Sequence, residues 1–250
     1  MENKNWSIQS VISDYLKEKF SQKHDSDHWY ASDMGYCFRK RCYKRAEVKP
    51  SEEMTDQQMR KLECGNIFHW WIQKKLEDCG VLLKKEQEVE NKEYNYKGHY
   101  DALVEKDGVK LMYDFKTVHS YAFHYLRENG GQGKEPHKLQ LASYMLFSGE
   151  PVSSGRVLYI SKDDLCVEEI SVELEDYKDK IIAELKKLND FWDKKKLPPK
   201  LKDIEDNKPN WQCRFCSYLT YCRGKDWPAK PKKLGQLKTI SKKSSNPSKN

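Results

Sequence analysis

No stretch of this 250-residue chain is apolar for anything near the roughly 18 residues that a membrane-spanning helix needs. The opening residues, MENKNWSIQS, lack the apolar run of a secretory signal. Together these absences set the expectation of a cytoplasmic protein with no membrane partner. No GxxxxGK[ST] loop occurs, so the chain carries no nucleotide-driven motor of its own. No segment repeats, which sets solenoids aside. Disorder throughout is excluded by what is present: 7 Trp, 15 Tyr and 8 Phe supply ample surface to bury. The length is enough for one core without disulfides. Charged residues make up 34% of the chain and hydrophobic residues 37%, a composition that places a highly charged surface around that core.

The net charge of +7 is unevenly placed. Residues 225–250 hold eight lysines against Asp226, so this Lys/Ser/Pro/Asn-rich tail carries the whole excess and reads as flexible. The body is balanced overall, with one local cluster of Arg39, Lys40, Arg41, Lys44, Arg45 and Lys49 against Glu47. Nucleic acid is the partner such a distribution suggests. On charge alone, a solvated loop and a solubilising tail are the slightly simpler account.

Hydrophobic spacing predicts a helix over residues 6–20 and a longer one over 55–79, capped by Thr55 or Ser51. Residues 29–47 mix aromatics, two cysteines and the basic cluster, and start as a loop. Three strands are expected at 81–90, 96–105 and 109–117, the last two joined by an Asp107-Gly108 turn. Helices follow at 119–128 and 136–148, strands at 155–161 and 165–172, and a helix at 174–195 that stops before Pro198-Pro199. The order describes one α/β core with helical additions at both ends.

The stretch GHYDALVEKDGVKLMYDFKT, residues 98–117, carries the chemistry. Asp114 and Lys116 lie two apart on one strand and so share a face, and the hairpin folds Asp101 back beside them. Paired carboxylate oxygens are what magnesium or manganese takes, and an ammonium beside them can orient water or steady a charged transition state. For an isolated Asp-x-Lys, a cross-strand salt bridge is the simpler account. Two further features shift the balance. His69 lies in the helix before the sheet, with His124 and His137 as competing imidazoles. Gln140 and Tyr144 share a face of the helix after it. Glu86, on the preceding strand, is an extra acid without a role.

The ordered set Gly65-x-x-x-His69, Asp101, Asp114-x-Lys116, Gln140-x-x-x-Tyr144 resembles the RecB-like branch of the PD-(D/E)XK nucleases. The resemblance spans about 80 residues, and Asp114 stands where Glu is commoner. It implies a restriction-endonuclease-like core, a central mixed sheet flanked by helices. It implies that His69, Asp101, Asp114 and the Phe115 carbonyl bind magnesium or manganese, that Lys116 activates water, and that Gln140 and Tyr144 contact the site or the strand. The activity implied is a single-stranded DNA exonuclease in recombination, repair or CRISPR adaptation, in a prokaryotic cell or phage-infected host. Helicase, recombinase or adaptation proteins would be separate partners. The rival readings are a non-catalytic DNA-binding adaptor on the same fold and a zinc-stapled regulator.

Eight cysteines complete the inventory. Cys213-x-x-Cys216, with Cys222 six residues on, clusters three thiols, which favours a metal over redox chemistry. A fourth ligand is needed, and Cys37 is the candidate, with Cys42 behind it. Cys64, Cys79 and Cys166 read as small buried hydrophobes. Four thiolates suit either zinc or a 4Fe–4S cluster. The sequence here is similar to RecB-like nucleases with an iron–sulfur cluster, including the CRISPR-associated exonucleases, their phage relatives and the AddB nuclease domain, which implies the cluster and leaves zinc as the alternative. Phe38 replaces the proline common in that family. The cluster would join segments 30–47 and 211–224 across a catalytic core at about 55–195, within one domain of residues 1–224. Arg39, Lys40, Arg41, Arg214 and Arg223 around it, interleaved with aromatics, are candidate contacts to single-stranded DNA.

Overall fold

The structure, a computed structural model, describes residues 6–21, 26–51, 53–128, 130–202, 204–205, 208–214 and 216–223. The basic tail expected at 225–250 lies outside the described residues. The chain opens with helix α1 (Ile8–Ser21), then a short strand β1 (Trp29–Tyr30), a 3-10 turn and helix α2 (Phe38–Arg45). The long helix α3 (Asp56–Asp78) leads into three antiparallel strands, β2 (Leu82–Asn91), β3 (Tyr96–Lys106) and β4 (Val109–Val118). Helices α4 (Ser120–Glu128) and α5 (Glu135–Phe147) precede strands β5 (Ser154–Ser161) and β6 (Val167–Glu173). Helix α6 (Lys178–Asp193), a hairpin of β7 (Ile204–Glu205) and β8 (Lys208–Pro209), and the short helices α7 (Trp211–Arg214) and α8 (Leu219–Arg223) complete it.

Local chemistry sets several of these boundaries. Thr55 and not Ser51 caps α3: its hydroxyl accepts the Gln58 N–H at 3.2 Å while the Gln58 side chain accepts the Thr55 N–H at 2.8 Å. Ser51 instead accepts the Tyr221 N–H at 2.9 Å and ties the start of α3 to the C-terminal segment. Asp107 and Gly108 turn the β3–β4 hairpin with φ of 52° and 78°, the left-handed pair that matches the strand twist. The helix expected from 174 starts with a 3-10 turn at Leu174–Asp176 and becomes α-helical only at Lys178. Helix α1 forms as its spacing predicts, but of its apolar stripe Leu16 is buried while Ile8, Val11, Ile12 and Tyr15 stay exposed.

The central sheet is mixed and flanked by helices, the architecture expected. Strand β3 pairs along one edge with β2, antiparallel. Its other edge is shared: β1 pairs in parallel at Tyr96 and Lys97, and β4 pairs antiparallel from Ala102 to Lys106. Between these pairings β3 and β4 part company. Strand β4 continues to Val118 against β5, in parallel, and β6 closes the far edge. The β4–β5 crossover is carried by α4 and α5. Helix α5 packs on one face through Leu139, Leu141, Ala142 and Met145, backed by Ile181 and Leu185 of α6. Helix α3 covers the other face, where Ile72 meets Ala102, Val104 and Phe115. Burying each such side chain contributes roughly 1.5–3 kcal/mol. Among the described residues, no helix is long and apolar enough to cross a membrane.

Candidate functional site

The parting of β3 and β4 creates the site. The ladder ends at Ala102 opposite Tyr113, so the next residues out, Asp101 and Asp114, leave their partners. Asp101 replaces the lost ladder bond with its side chain: its Oδ2 accepts the Phe115 N–H at 2.5 Å. Asp114 is almost fully buried, and Lys116 holds it in an ion pair at 2.7 Å. Burial pushes the Asp114 carboxyl up to about 6; the Lys116 ammonium works against that and the Asp101 charge adds to it. Burial alone would lower Lys116, but the two carboxylates outweigh it and raise the ammonium above its ordinary value.

His69 comes from α3, the opposite layer, and its Nδ1 lies 3.5 Å from Asp101 Oδ1. Its ring stands edge-on to Phe115, with centroids 5.6 Å apart. Burial opposes protonation of this imidazole, yet the Asp101 carboxylate outweighs it and the His69 value is raised. The competing imidazoles are engaged elsewhere. His124 pairs with Asp164 at 2.9 Å, and His137 meets the Tyr159 hydroxyl at 2.8 Å. Burial pushes His137 down to about 3, so it stays neutral.

Glu86 is the residue that reading the sequence left without a role. Lys85 and Gln87 pair with Ala102 and Tyr100, so Glu86 stands opposite Asp101. It does so in a left-handed conformation, φ 48°, inside a strand, a position that costs a non-glycine residue about 1–3 kcal/mol. Gln73, one helical turn beyond His69, donates to Glu86 at 2.5 Å and to the Asp101 carbonyl at 3.0 Å. The ligand atoms of His69, Glu86 and Asp101 all lie within 4.8 Å of one another, a group able to hold a metal ion. Counting back along the hairpin from Asp101 would have found Glu86; nothing in the sequence marks its backbone as left-handed.

Gln140 and Tyr144 do sit together. The Gln140 amide donates to the Tyr144 hydroxyl at 2.8 Å, and both side chains are buried. Burial raises the Tyr144 phenol well above its ordinary value, and the Asp114 charge adds to this from nearby. Their approach depends on Gly98: a Cβ there would stand 2.6 Å from both the Tyr144 ring and Ala31.

Cys37, Cys213, Cys216 and Cys222 line one cavity, although 176 residues separate the first two. The Cys37 N–H donates to the Gln212 side chain at 2.7 Å and anchors the two segments together. Single turns present the C-terminal thiols, through the Cys216 N–H to the Cys213 carbonyl and the Cys222 N–H to the Tyr218 carbonyl. Burial and then the neighbouring thiols raise Cys213. Burial also raises Cys222, against the Arg39 and Lys200 charges and with smaller additions from Cys37 and Cys216. Arg223 donates to the Leu201 carbonyl at 2.6 Å and lies 3.4 Å from Cys213 Sγ. Cys42 is outside this cavity, fully buried in the main core, where burial pushes its thiol up to about 12. All eight cysteines are free thiols. Cys64 and Cys166 are half-buried, and Cys79, expected inside, is exposed.

Two of the arginines expected at a DNA surface, Arg39 and Arg41, point inward. Arg41 is 2% exposed and forms an ion pair with Glu184 of α6. Arg39 is buried and donates to the Pro198 carbonyl at 2.8 Å. Arg45 lies in the corner between the perpendicular rings of Trp29 and Trp192, 4.4 and 4.6 Å from their centres. A guanidinium can enter a core when its donors find oxygens and its faces find rings. Lys40 remains half-exposed, its ammonium 5.8 Å from the Tyr36 ring centre. The Arg214 side chain lies outside the described residues. The nearby aromatics pack on one another: Tyr218 and Tyr221 against Tyr43, and Tyr36 against Trp211.

No protein-family model and no curated protein matches the chain. Among solved structures, the crystal structure of SSO0001 superposes with a TM-score of 0.55 at 22% identity, over 88% of this chain and 98% of that one. A weaker likeness, TM-score 0.47 at 12% identity, is to an alkaline exonuclease, LHK-Exo, from Laribacter hongkongensis, over 70% of this chain and 91% of that one. The likeness to SSO0001 is one of fold.

Proposed function

We propose that this chain is a metal-dependent deoxyribonuclease of the PD-(D/E)XK kind, an exonuclease acting on single strands or ends. One observation carries the reading. Where β3 and β4 part, two carboxylates, a paired ammonium and an imidazole from the opposite layer converge. A structural salt bridge needs only one of those pairs. The donor set of imidazole and carboxylate oxygens suits magnesium or manganese. His69, Asp101, Asp114 and the Phe115 carbonyl would hold it, with Glu86 as a further oxygen donor.

A divalent ion, when bound, supplies Lewis-acid stabilisation of the charge that builds on the scissile phosphate. The protein's own groups do the rest. Asp101 is oriented by the Phe115 N–H, which leaves Oδ1 turned to His69. Lys116, fixed by Asp114, keeps its positive charge and steadies the attacking water and the anionic transition state. Gln140 and Tyr144 back the site from α5. Residues 1–224 would act as one domain, with 225–250 as a basic arm, and any unwinding would fall to a separate protein.

The four thiols that line one cavity are the candidate ligands of a thiophilic centre. Thiols that raise one another are relieved by a cation, and none is spent in a disulfide. We assign them a 4Fe–4S cluster, with zinc as the alternative, in a structural role that joins the ends of the domain.

The test is cleavage of end-labelled single-stranded DNA with magnesium or manganese against EDTA. Lys116→Ala and Asp114→Ala should each lower cleavage by orders of magnitude while the fold persists, because both act on the transition state. Undiminished cleavage by purified Asp114→Ala protein would overturn the assignment.

A further inference from the structure

Helix α4 begins two residues beyond the strand that carries Asp114 and Lys116, and its outer face is aromatic. Phe123 turns inward and is fully buried. Tyr121 and Tyr125, four apart, therefore share the opposite face, where they are 75% and 57% exposed. Their rings are stacked, with centroids 6.5 Å apart and planes 26° from parallel. His119 extends the stack, 6.2 Å from Tyr121 at 15°. The three rings form a short ladder held out to solvent.

The ladder is held in place from below. Asp163 accepts the Ser120 N–H at 2.7 Å, His119 Nδ1 accepts the Ala122 N–H at 3.3 Å, and His124 pairs with Asp164 at 2.9 Å. Five residues separate Tyr121 from Lys116, a reach of at most about 18 Å, or a few nucleotides of strand. The charges beside the helix are mixed, Asp163, Asp164 and Glu168 against Arg127 and Lys162. What this surface offers a ligand is flat ring faces. Exposed aromatic faces stack with unpaired bases, which a duplex keeps stacked within itself.

We propose that His119, Tyr121 and Tyr125 form a stacking platform for unpaired nucleobases of the strand entering or leaving the site. The proposal rests on the nuclease reading for the identity of the strand. It adds the mode of recognition, by base face and not by phosphate, and assigns it to residues outside the metal centre.

The test separates bases from backbone. Binding of a fluorescent 12-residue thymidine oligonucleotide is compared with binding of an abasic oligonucleotide of equal length and charge, in EDTA so that nothing is cut. Wild-type protein should prefer the oligonucleotide with bases by on the order of tenfold or more. Tyr121→Ala/Tyr125→Ala should lose that preference while its affinity for the abasic strand is unchanged. Tyr121→Trp, which keeps a ring, should retain the preference. If the double variant keeps the full preference, the platform is overturned. Loss of affinity for both oligonucleotides alike also overturns it, since that signals a backbone contact. Cleavage measured in parallel with manganese reads the premise separately. Cutting with an unaltered preference sinks the platform alone, while absence of cutting with a ring-dependent preference sinks only the nuclease reading.

Discussion

Asp114 is the residue on which the chemistry and the cost of the site converge. Its carboxyl is pushed up to about 6 by burial, above the ordinary 3.8. The folded protein therefore holds this proton more tightly than the unfolded chain does. From this group alone, stability without metal is highest below about pH 4 and falls as the pH rises through about 6. A cation bound there must displace the proton, and the raised His69 imposes a cost of the same sign. The rise in melting temperature caused by manganese should be small at pH 5 and larger at pH 7.5. Equal rises at the two pH values would remove Asp114 and His69 from the ligand set. Glu86 belongs to the same accounting, since a left-handed glutamate within a strand is retained at a cost and Gln73 holds its carboxylate in place.

At the scale of elements, helix α2 is the clearest case of charge turned to packing. Its sequence, FRKRCYKR, reads as a basic surface. In the fold, Arg41 clamps Glu184 of α6, Glu184 also accepts the Gly35 N–H at 3.0 Å, and Arg45 lies in the corner between Trp29 and Trp192. The pairs fix the angle at which the segment carrying Cys37 leaves the core. Arg41→Ala would leave the Glu184 carboxylate buried and unpaired, and should destabilise the protein by about 3–5 kcal/mol. Denaturant unfolding measures this. A loss under 1 kcal/mol would mean that Glu184 finds water or another partner. Helix α3 was legible from spacing and its cap, and the hairpin from Asp107-Gly108, because both signals are local. The inward turn of α2 was not, because Glu184 and Trp192 lie more than 140 residues away in sequence.

Over the whole molecule, the thiol cavity closes a loop that begins at Cys37 and returns at Cys213. The chain between them contains every strand of the main sheet from β2 to β6 and all the acids of the site. Replacing Cys37, Cys213, Cys216 or Cys222 by Ala should remove bound metal and lower thermal stability, whereas Cys42→Ala, Cys64→Ala or Cys79→Ala should leave the metal content unchanged. A broad visible absorbance in anaerobically purified protein would identify iron–sulfur, and colourless protein with stoichiometric zinc would identify the alternative. Retention of metal by Cys37→Ala would displace it from the set. The eight lysines of residues 225–250 act at the same scale. Each phosphate they engage on a single strand should contribute about −0.7 to the slope of log K against log salt. Deleting residues 228–250 should flatten that slope. Equal slopes with and without the tail would leave it a solubilising role only.

The sequence by itself determined the order of the core elements from α3 to α6, the Asp107-Gly108 turn, and the set of polar residues that recur in order from His69 to Tyr144. Those are short-range properties: hydrophobic period, capping chemistry and alternation along a strand act over a few residues. Tertiary structure decided which of those residues meet. The early end of the β3–β4 ladder, where β1 and β4 share one edge of β3, frees Asp101 to meet His69 and leaves Asp114 to Lys116. It brought Glu86 opposite Asp101, turned Arg39 and Arg41 inward, and sent Cys42 to the core while Cys37 joined the distant thiols. Charge and thiol chemistry are visible in a sequence. Whether a charge is spent on a buried partner or left for a ligand depends on what the fold packs against it.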